Sequence, residues 1–301
     1  MNAIEIRNLT KNFGQKRALN GLNMTVPEGS IYGFIGENGS GKSTTEKIIC
    51  GLLLPSGGEV KLYGKDYKDT EVRSGVGVLI ESPGCFPNIS VWNNLLLQAA
   101  NLSIKNPEEE IRKVLKMVRM EGSASNKFKN CSLGMKQRIG IAMALLGNPK
   151  LLVLDEPING LDADGMRIMR EVLVDITKNY ECTVLVSSHI LGELEKIATH
   201  YGIVRGGKMI KEMTAEELEK NCPTFIAVQT KNINKTKTLL TEKYSKVIED
   251  KENGYIRVYD NVSPEQLVLY LYENNIVVNE IKTAKIGLEE YYINLMKEGK
   301  K

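Results

Sequence analysis

Long apolar runs, paired cysteines and an excess of either charge are all missing from this chain, and each absence removes a class of protein. No uninterrupted apolar stretch approaches the roughly 20 residues that a bilayer-spanning helix needs, so work at a membrane would require a separate anchoring partner. The N-terminus, MNAIEIRNLT, alternates like a strand and has neither the basic nor the apolar region of a secretory signal, so none is expected. Five cysteines, Cys50, Cys85, Cys131, Cys182 and Cys222, are odd in number and include no CxxC pair. That argues against a disulfide framework or a zinc site and for a reducing, cytosolic setting. Forty Lys and Arg against 37 Asp and Glu leave a formal charge of +3, too small a surplus to announce a nucleic-acid binder. Histidine is scarce, with only two, and His200 reads as an ordinary satisfied residue.

What the chain does have is length and a glycine loop. Its 301 residues suffice for a large core and a second, smaller domain. Gly36 to Thr44 reads GENGSGKST, after the apolar run Ile31 to Ile35 and before a helix-compatible run from Thr45 to Leu54. Strand, glycine loop and helix are the context of a P-loop. Phosphate oxygens reach successive backbone N–H groups only where no Cβ intrudes, which suits Gly36, Gly39 and Gly41. Lys42 adds a charge for the β- and γ-phosphates, Ser43 a hydroxyl for Mg²⁺, and the helix N-terminus its partial positive charge.

Along the chain, Ile4 to Leu9 reads as an edge-type strand, and Phe13 is a lone aromatic before Gly14. Its ring is either core or a platform for an adenine face, with the two readings about equal. Gly57 to Gly64 and Gly75 to Glu81 predict strands, and the Pro- and Gly-rich SPGCFPNIS a loop of the kind on which partners are met. Ser90 to Asn101 and Pro107 to Met120 carry apolar residues at helical spacing, a helical insertion in an α/β sheet. CSLGMKQR, Cys131 to Arg138, opens a long helix that stops at Asn148 and Pro149. Leu151 to Leu154 is a buried strand that delivers Asp155 and Glu156 at its C-terminal end, where ligands gather in parallel sheets. Two adjacent carboxylates there make sense beside a cation. NGLDAD turns into a helix from Met166 to Lys178, and the strand Thr183 to Val186 ends in SSH, which brings His189 to the same end of the sheet.

From about Thr224 the order changes to βαββαβ, with a hairpin signal at Glu252, Asn253 and Gly254 and a Ser cap at Ser263, then a last amphipathic helix from Gly287 to Lys297. That order predicts a small ferredoxin-like sheet. From Gly206 onward, 15 Lys and Arg face 15 Asp and Glu, which favours a protein-contact or regulatory module over an RNA binder.

GENGSGKST, CSLGMKQR, LLVLDEP, NGLD and SSH, in that order, resemble the nucleotide-binding subunit of an ATP-binding-cassette (ABC) transporter over roughly the first 215 residues. The resemblance implies an α/β P-loop cassette at 1–215, a mixed sheet with helices on both sides and a helical subdomain at about 85–147; the βαββαβ order adds an α+β ferredoxin-like domain at 222–301. It makes Gly36, Glu37, Asn38, Gly39, Ser40, Gly41, Lys42, Ser43 and Thr44 the Walker A loop, and Asp155 with Glu156 the Walker B acids. Asp155 would hold Mg²⁺ through water, Glu156 would orient and deprotonate the attacking water, and His189 would contact the γ-phosphate. Phe13 would stack on adenine and Asp162 would belong to the D-loop. Ser132 and Gly134 would meet the ATP bound by a second cassette, so a head-to-tail homodimer is expected, with a transmembrane permease as partner at the cytoplasmic face of a bacterial membrane.

Two departures stand out. Leu133 and Met135 replace a glycine and a glutamine of the family signature, so one polar contact to the opposite nucleotide is lost. Glu81 stands where the family carries Gln, and near triphosphate a carboxylate is expected to approach the metal. Glu81 within IESPGCFPN, the chain length and the ending LEEYYINLM resemble the subset that protects bacteria against lantibiotics and bacitracin-like peptides. A soluble ABC ATPase acting on ribosomes or DNA is disfavoured by the single cassette and the absence of heptads between Lys42 and Asp155. An ABC importer would more typically keep the glutamine, and a P-loop kinase leaves CSLGMKQR and SSH unexplained.

Overall fold

The computed structural model describes residues 1–251 and 253–298. The chain divides into two compact units, Met1–Ala215 and Glu216–Lys301.

In the first unit, β1 (Asn2–Phe13) and β2 (Lys16–Pro27) form a long antiparallel hairpin, and β1 also pairs with β4 (Gly57–Leu62), which pairs with the short β5 (Lys65–Asp66). β1 is thus flanked on both sides and runs to Phe13, well beyond the edge-type strand that Ile4 to Leu9 suggests. A six-stranded sheet holds the centre, in the order β10-β9-β3-β8-β7-β6. It comprises β3 (Ile31–Ile35), β6 (Val76–Leu79), β7 (Leu151–Asp155), β8 (Thr183–Ser187), β9 (His200–Arg205) and β10 (Lys208–Thr214). Five strands are parallel and β10 closes the edge antiparallel. β3, β8 and the first four residues of β7 are buried throughout, as strands covered on both faces must be.

α1 (Lys42–Ile49) lies between the two sheets. Its Ile48 and Ile49 join Ile4, Leu9, Leu22 and Met24 of the hairpin and Leu151, Val153 and Leu185 of the parallel sheet in one apolar cluster. Each such fully buried side chain contributes about 1.5–3 kcal/mol. α2 (Thr70–Ser74) is a short connection capped by Asp69.

The helical insertion consists of α3 (Val91–Asn101), α4 (Pro107–Met117) and α5 (Leu133–Leu145). Ser90 caps α3, and Pro107 with Glu108, Glu109 and Glu110 opens α4. α4 ends three residues before the periodicity suggests, because Arg119 turns left-handed at φ +57° and Arg138 of α5 donates to the Val118 and Arg119 carbonyls. α6 (Ala163–Tyr180) packs on β3 and β8, and α7 (Leu191–Leu194) follows β8. Parallel pairing sets all the strand C-termini along one edge, with Asp155 in register with Ser187 and Ser187 with Phe34.

α8 (Ala215–Asn221) leads to the second unit. There β11 (Thr224–Thr230), α9 (Ile233–Lys243), β12 (Val247–Asp250), β13 (Tyr255–Val258), α10 (Pro264–Glu273) and β14 (Val278–Lys285) follow in βαββαβ order, and α11 (Leu288–Glu298) ends it. The sheet is antiparallel in the order β12-β13-β11-β14, the split βαβ arrangement. Ile226, Val228, Ile256 and Val258 face Leu240 of α9 and Leu267 and Leu271 of α10 across its core. Ser263 caps α10 in a reciprocal box with Gln266. The β12–β13 turn contains Gly254 at φ +71°, and Glu252 lies outside the described residues.

Candidate active site

The loop after β3 turns where bulk is forbidden. A Cβ on Gly36 would lie 2.5 Å from both Ser40 Oγ and the Val204 carbonyl oxygen, and Gly41, the residue before α1, has φ +114° and offers no side-chain cap. The first N–H groups of α1 therefore keep no capping partner from the loop, and an anion suits them. Lys42 is buried and arches back over the loop, its Nζ donating to Gly36 O at 2.7 Å and Glu37 O at 3.3 Å. Ser40 Oγ is buried without a hydrogen-bond partner. An ammonium that returns to its own loop carbonyls and an orphaned hydroxyl are both ready for a phosphate.

The neighbouring strands supply the carboxylates. Ser187, at the end of β8, donates its hydroxyl to Asp155 Oδ1 at 2.8 Å and accepts the Glu156 N–H at 3.2 Å. The same N–H also reaches the Ser187 carbonyl at 3.2 Å. Glu156 is held left-handed at φ +51°, a conformation that costs a non-glycine residue about 1–2 kcal/mol. The two bonds to Ser187 fix it there, turning its carboxylate to His189, whose Nδ1 is 2.9 Å from Glu156 Oε2. A cavity of about 430 Å³ opens over these groups. Its floor is Asn38, Gly39 and Gly41 to Thr44, one wall is Asp155 and Glu156, and Phe13, Lys16 and Ala18 form the other.

Residues 19–159 match the family model described as "ABC transporter". The bacitracin transport ATP-binding protein BcrA of Bacillus licheniformis is 35% identical over 302 residues, 98% of each chain. The chain belongs to the ABC transporter family, as an ATP-binding subunit. The lantibiotic transport ATP-binding protein SrtF of Streptococcus pyogenes is 39% identical over 209 residues, 69% of this chain and 90% of its own. Among solved structures, the ATP-binding cassette MJ0796, a dimer in a post-hydrolysis state bound to ADP and Pi, superposes with a TM-score of 0.63 at 25% identity. That likeness covers 70% of this chain and 98% of the other. The chain is thus an ABC-type ATPase. Among the described residues no helix is long and apolar enough to cross a membrane.

The remaining residues of this ABC subunit fall into three groups. Phe13 is 49% exposed on the cavity rim, with Lys11 Nζ 5.1 Å from its ring centroid, which removes the core alternative. Ser132 and Asp162 cap α5 and α6, accepting from Met135 N at 3.2 Å and Gly165 N at 2.8 Å. With Gly134, they do not line the cavity of their own chain. Glu81 departs from expectation. Rather than turning to the cavity and a metal, its carboxylate pairs with Lys47 Nζ of α1 at 2.8 Å and is 71% exposed. A carboxylate, unlike the family's amide, is attracted by the nearest ammonium, and this pairing holds its pKa below the usual carboxylate range.

One group escapes a reading of motifs. Glu46 of α1 is wholly buried, and neither of its carboxyl oxygens meets a donor in hydrogen-bond geometry. Burial, and after it the negative charge of Asp155, pushes its pKa well above the carboxylate range. The signal was present in the sequence. Glu46 lies four residues after Lys42, on the same helical face, in a helix whose neighbouring positions are core.

Proposed function

We propose that this subunit binds ATP with Mg²⁺ in the cavity over the P-loop and hydrolyses it between two copies of the chain, driving a transmembrane permease that expels a peptide antibiotic. The convergence of Lys42, Asp155, Glu156 and His189 at the C-terminal ends of β3, β7 and β8 carries this reading. Residues Gly36 to Thr44 wrap the phosphates, Lys42 exchanges its loop carbonyls for phosphate oxygens, and Phe13 stacks on the adenine ring.

The donor set suits a hard cation that keeps much of its water. Asp155 and Ser43 line one cavity, while no group of three or more His, Cys, Asp or Glu forms a metal cage among the described residues. Asp155 and Ser43 would hold Mg²⁺ there, and it would supply positive charge to the phosphates. Glu156 takes the proton of the attacking water, and His189, oriented by Glu156, faces the γ-phosphate. Ser132, Gly134 and Asp162 act on the ATP of the opposite copy, in line with their position away from their own cavity.

Glu156→Gln is expected to keep ATP affinity, lower turnover by roughly 10²–10⁴-fold, the usual worth of a positioned general base, and accumulate a dimer on addition of ATP. Hydrolysis assays and size-exclusion chromatography measure both, and unimpaired steady-state turnover would contradict the assignment. The export of a peptide antibiotic rests on likeness to the bacitracin and lantibiotic transport proteins. Co-expression with the permease should raise tolerance to bacitracin or a lantibiotic, and unchanged tolerance to both removes the substrate assignment. The subunit itself would sit peripherally on the cytoplasmic face, held by the permease.

A further inference from the structure

The second unit leaves one edge of its sheet open. In the order β12-β13-β11-β14, the outermost strand β14 has eight residues and pairs only with β11 among the described residues, so one row of its N–H and C=O groups meets no strand. Native edges of that length are usually kept apart by bulges, prolines or unpaired lysines. β14 has no proline, and its one register shift lies at the Val278 end, which leaves Glu280 to Lys285 regular. The charge of its two lysines is already cancelled: Lys282 Nζ lies 3.2 Å from Glu280 Oε1, and Lys285 Nζ 2.8 Å from Glu219 Oε1.

The helix beside that edge is apolar on the flank that overlooks it. α10 packs on β14, and α9 on β12 and β13. Leu267 and Leu271 of α10 turn into the core, and Tyr270 turns towards α9, its ring centroid 6.2 Å from that of Tyr244 at the end of α9. At about 100° per residue, Tyr272 then points to the opposite flank, over the free edge of β14, and it is 77% exposed. Leu269 and Val277, the residue before β14, are also more than half exposed. Single apolar residues scattered on a surface are ordinary, but these three gather beside an open strand.

We propose that a second copy of this chain occupies the edge, the two β14 strands pairing antiparallel about a two-fold axis at Ile281 into one continuous sheet. A two-fold contact must be self-complementary, and the sequence at this axis is. With Ile281 opposite its own copy, Glu280 of each strand stands opposite Lys282 of the other, so the same pair forms twice. Opposite charges across antiparallel strands favour pairing, and like charges oppose it. An axis at Glu280 or at Lys282 would instead set that charge against its own copy, which selects the register. On the helix face the same axis brings the two α10 flanks together and covers Tyr272 and Val277. Pairing at this edge involves no nucleotide, so it keeps two chains together after the cassettes part; that consequence alone rests on the head-to-tail reading of the cassette pair.

Analytical ultracentrifugation of the full chain, free of nucleotide and in EDTA, tests this at tens of micromolar, where an interface of one strand and one helix flank per copy is expected to associate. Wild type should dimerise. Glu280→Lys and Lys282→Glu should each weaken association by roughly tenfold or more, because two cross-strand pairs become like-charged at once. The double variant should return to within about threefold of wild type, and an equimolar mixture of the two single variants should form a heterodimer in which every pair is again opposite. Both side chains are about half exposed, so all these proteins should melt alike, and the mixture keeps the test decisive if the double variant does not. Lys42→Ala should associate as wild type does, and the ATP-dependent dimer of Glu156→Gln is read well below this concentration, so failure of the nucleotide site and failure of the edge are told apart. A monomeric wild type, single variants as tight as wild type, or a mixture no tighter than the singles would each overturn the proposal. A monomeric wild type whose capture by permease-containing vesicles is lost in Glu280→Lys would assign the edge to the permease and overturn the second copy as its occupant.

Discussion

Removing the ionisable group at Glu46 should change how the stability of the cassette depends on pH, with a sign and slope that follow from its burial. In the unfolded chain a glutamate titrates near about 4.3. In the folded chain, burial and the neighbouring Asp155 charge raise the Glu46 pKa well above that. Between the two values the native state carries a proton that the unfolded state has released, so the free energy of unfolding falls as pH rises. The contribution is complete below about pH 4.3 and is lost as pH climbs to the native pKa, at about 1.4 kcal/mol per pH unit. For a unit the size of Met1–Ala215 that slope is roughly 3–6 °C in Tm per pH unit. Glu46→Leu has no such proton, so its Tm should rise relative to wild type by that amount for each pH unit climbed from pH 5 toward the native pKa. Calorimetric melts of both proteins in EDTA, at half-unit steps of pH, measure the difference directly. Asp155, Glu156 and Lys42, the charged groups that act on Glu46, remain in both proteins. A Tm difference that stays flat from pH 5 to 8 would show that Glu46 ionises as an exposed glutamate does, and the reasoning would fail.

Gly77→Ala should cost about 1–3 kcal/mol in chemical denaturation, because its Cβ would stand 2.1 Å from the Ala144 carbonyl oxygen and push α5 off β6; a wild-type midpoint would refute this contact. Glu81→Gln should leave stability unchanged within the error of a denaturation curve, since its exposed pair with Lys47 is worth little, and spare most ATPase activity while altering peptide tolerance with the permease. Equal tolerance in both proteins would separate the loop from transport. Phe13→Ala should weaken ATP binding about two- to tenfold, the worth of one stacking contact, without shifting Tm, and unchanged affinity would dismiss the stacking role.

How much of this was legible in the sequence depends on what each residue type reports. IYGFI, LLVL and TVLV read as strands, LLVL as a buried one, because continuous apolar runs are what two covered faces demand, and all three are buried in the sheet. The βαββαβ order of the second unit followed from turn residues and a Ser cap, which act locally. The hairpin of β1 and β2, two strands of twelve residues each, did not, because its register breaks interrupt simple alternation. β9 and β10 went unread for another reason: their tight Gly206 and Gly207 turn joins strands of unequal burial, and only β9 is core. At the site, Asp155, Glu156, His189 and Lys42 announced themselves through motif order. Glu81 and Glu46 were harder, because the effect of a charge depends on which cations fold places beside it, and spacing does not encode that.

One helix touches both acids, carrying Glu46 itself and holding Glu81 through Lys47. α1 presents Lys42 and Glu46 along one face toward the cavity and the Asp155 region, and Lys47 to Glu81 at the start of the loop that runs to Ser90. Its first turn lies against the P-loop, and its apolar face, Ile48 and Ile49, is clamped in the core between two sheets. A helix so clamped moves as a body or hardly at all, because close-packed cores do not deform continuously. Any displacement that phosphate contact imposes on Lys42 is therefore imposed on Lys47 and the exposed carboxylate it holds. The Lys47–Glu81 pair is weak enough to break under such a pull and close enough to feel it, which joins the nucleotide cavity to the loop through a single element. Lys47→Ala should uncouple them, leaving ATP affinity intact while the environment of Cys85 in that loop, read by its labelling rate, ceases to respond to ATP; a response equal to wild type would refute the connection.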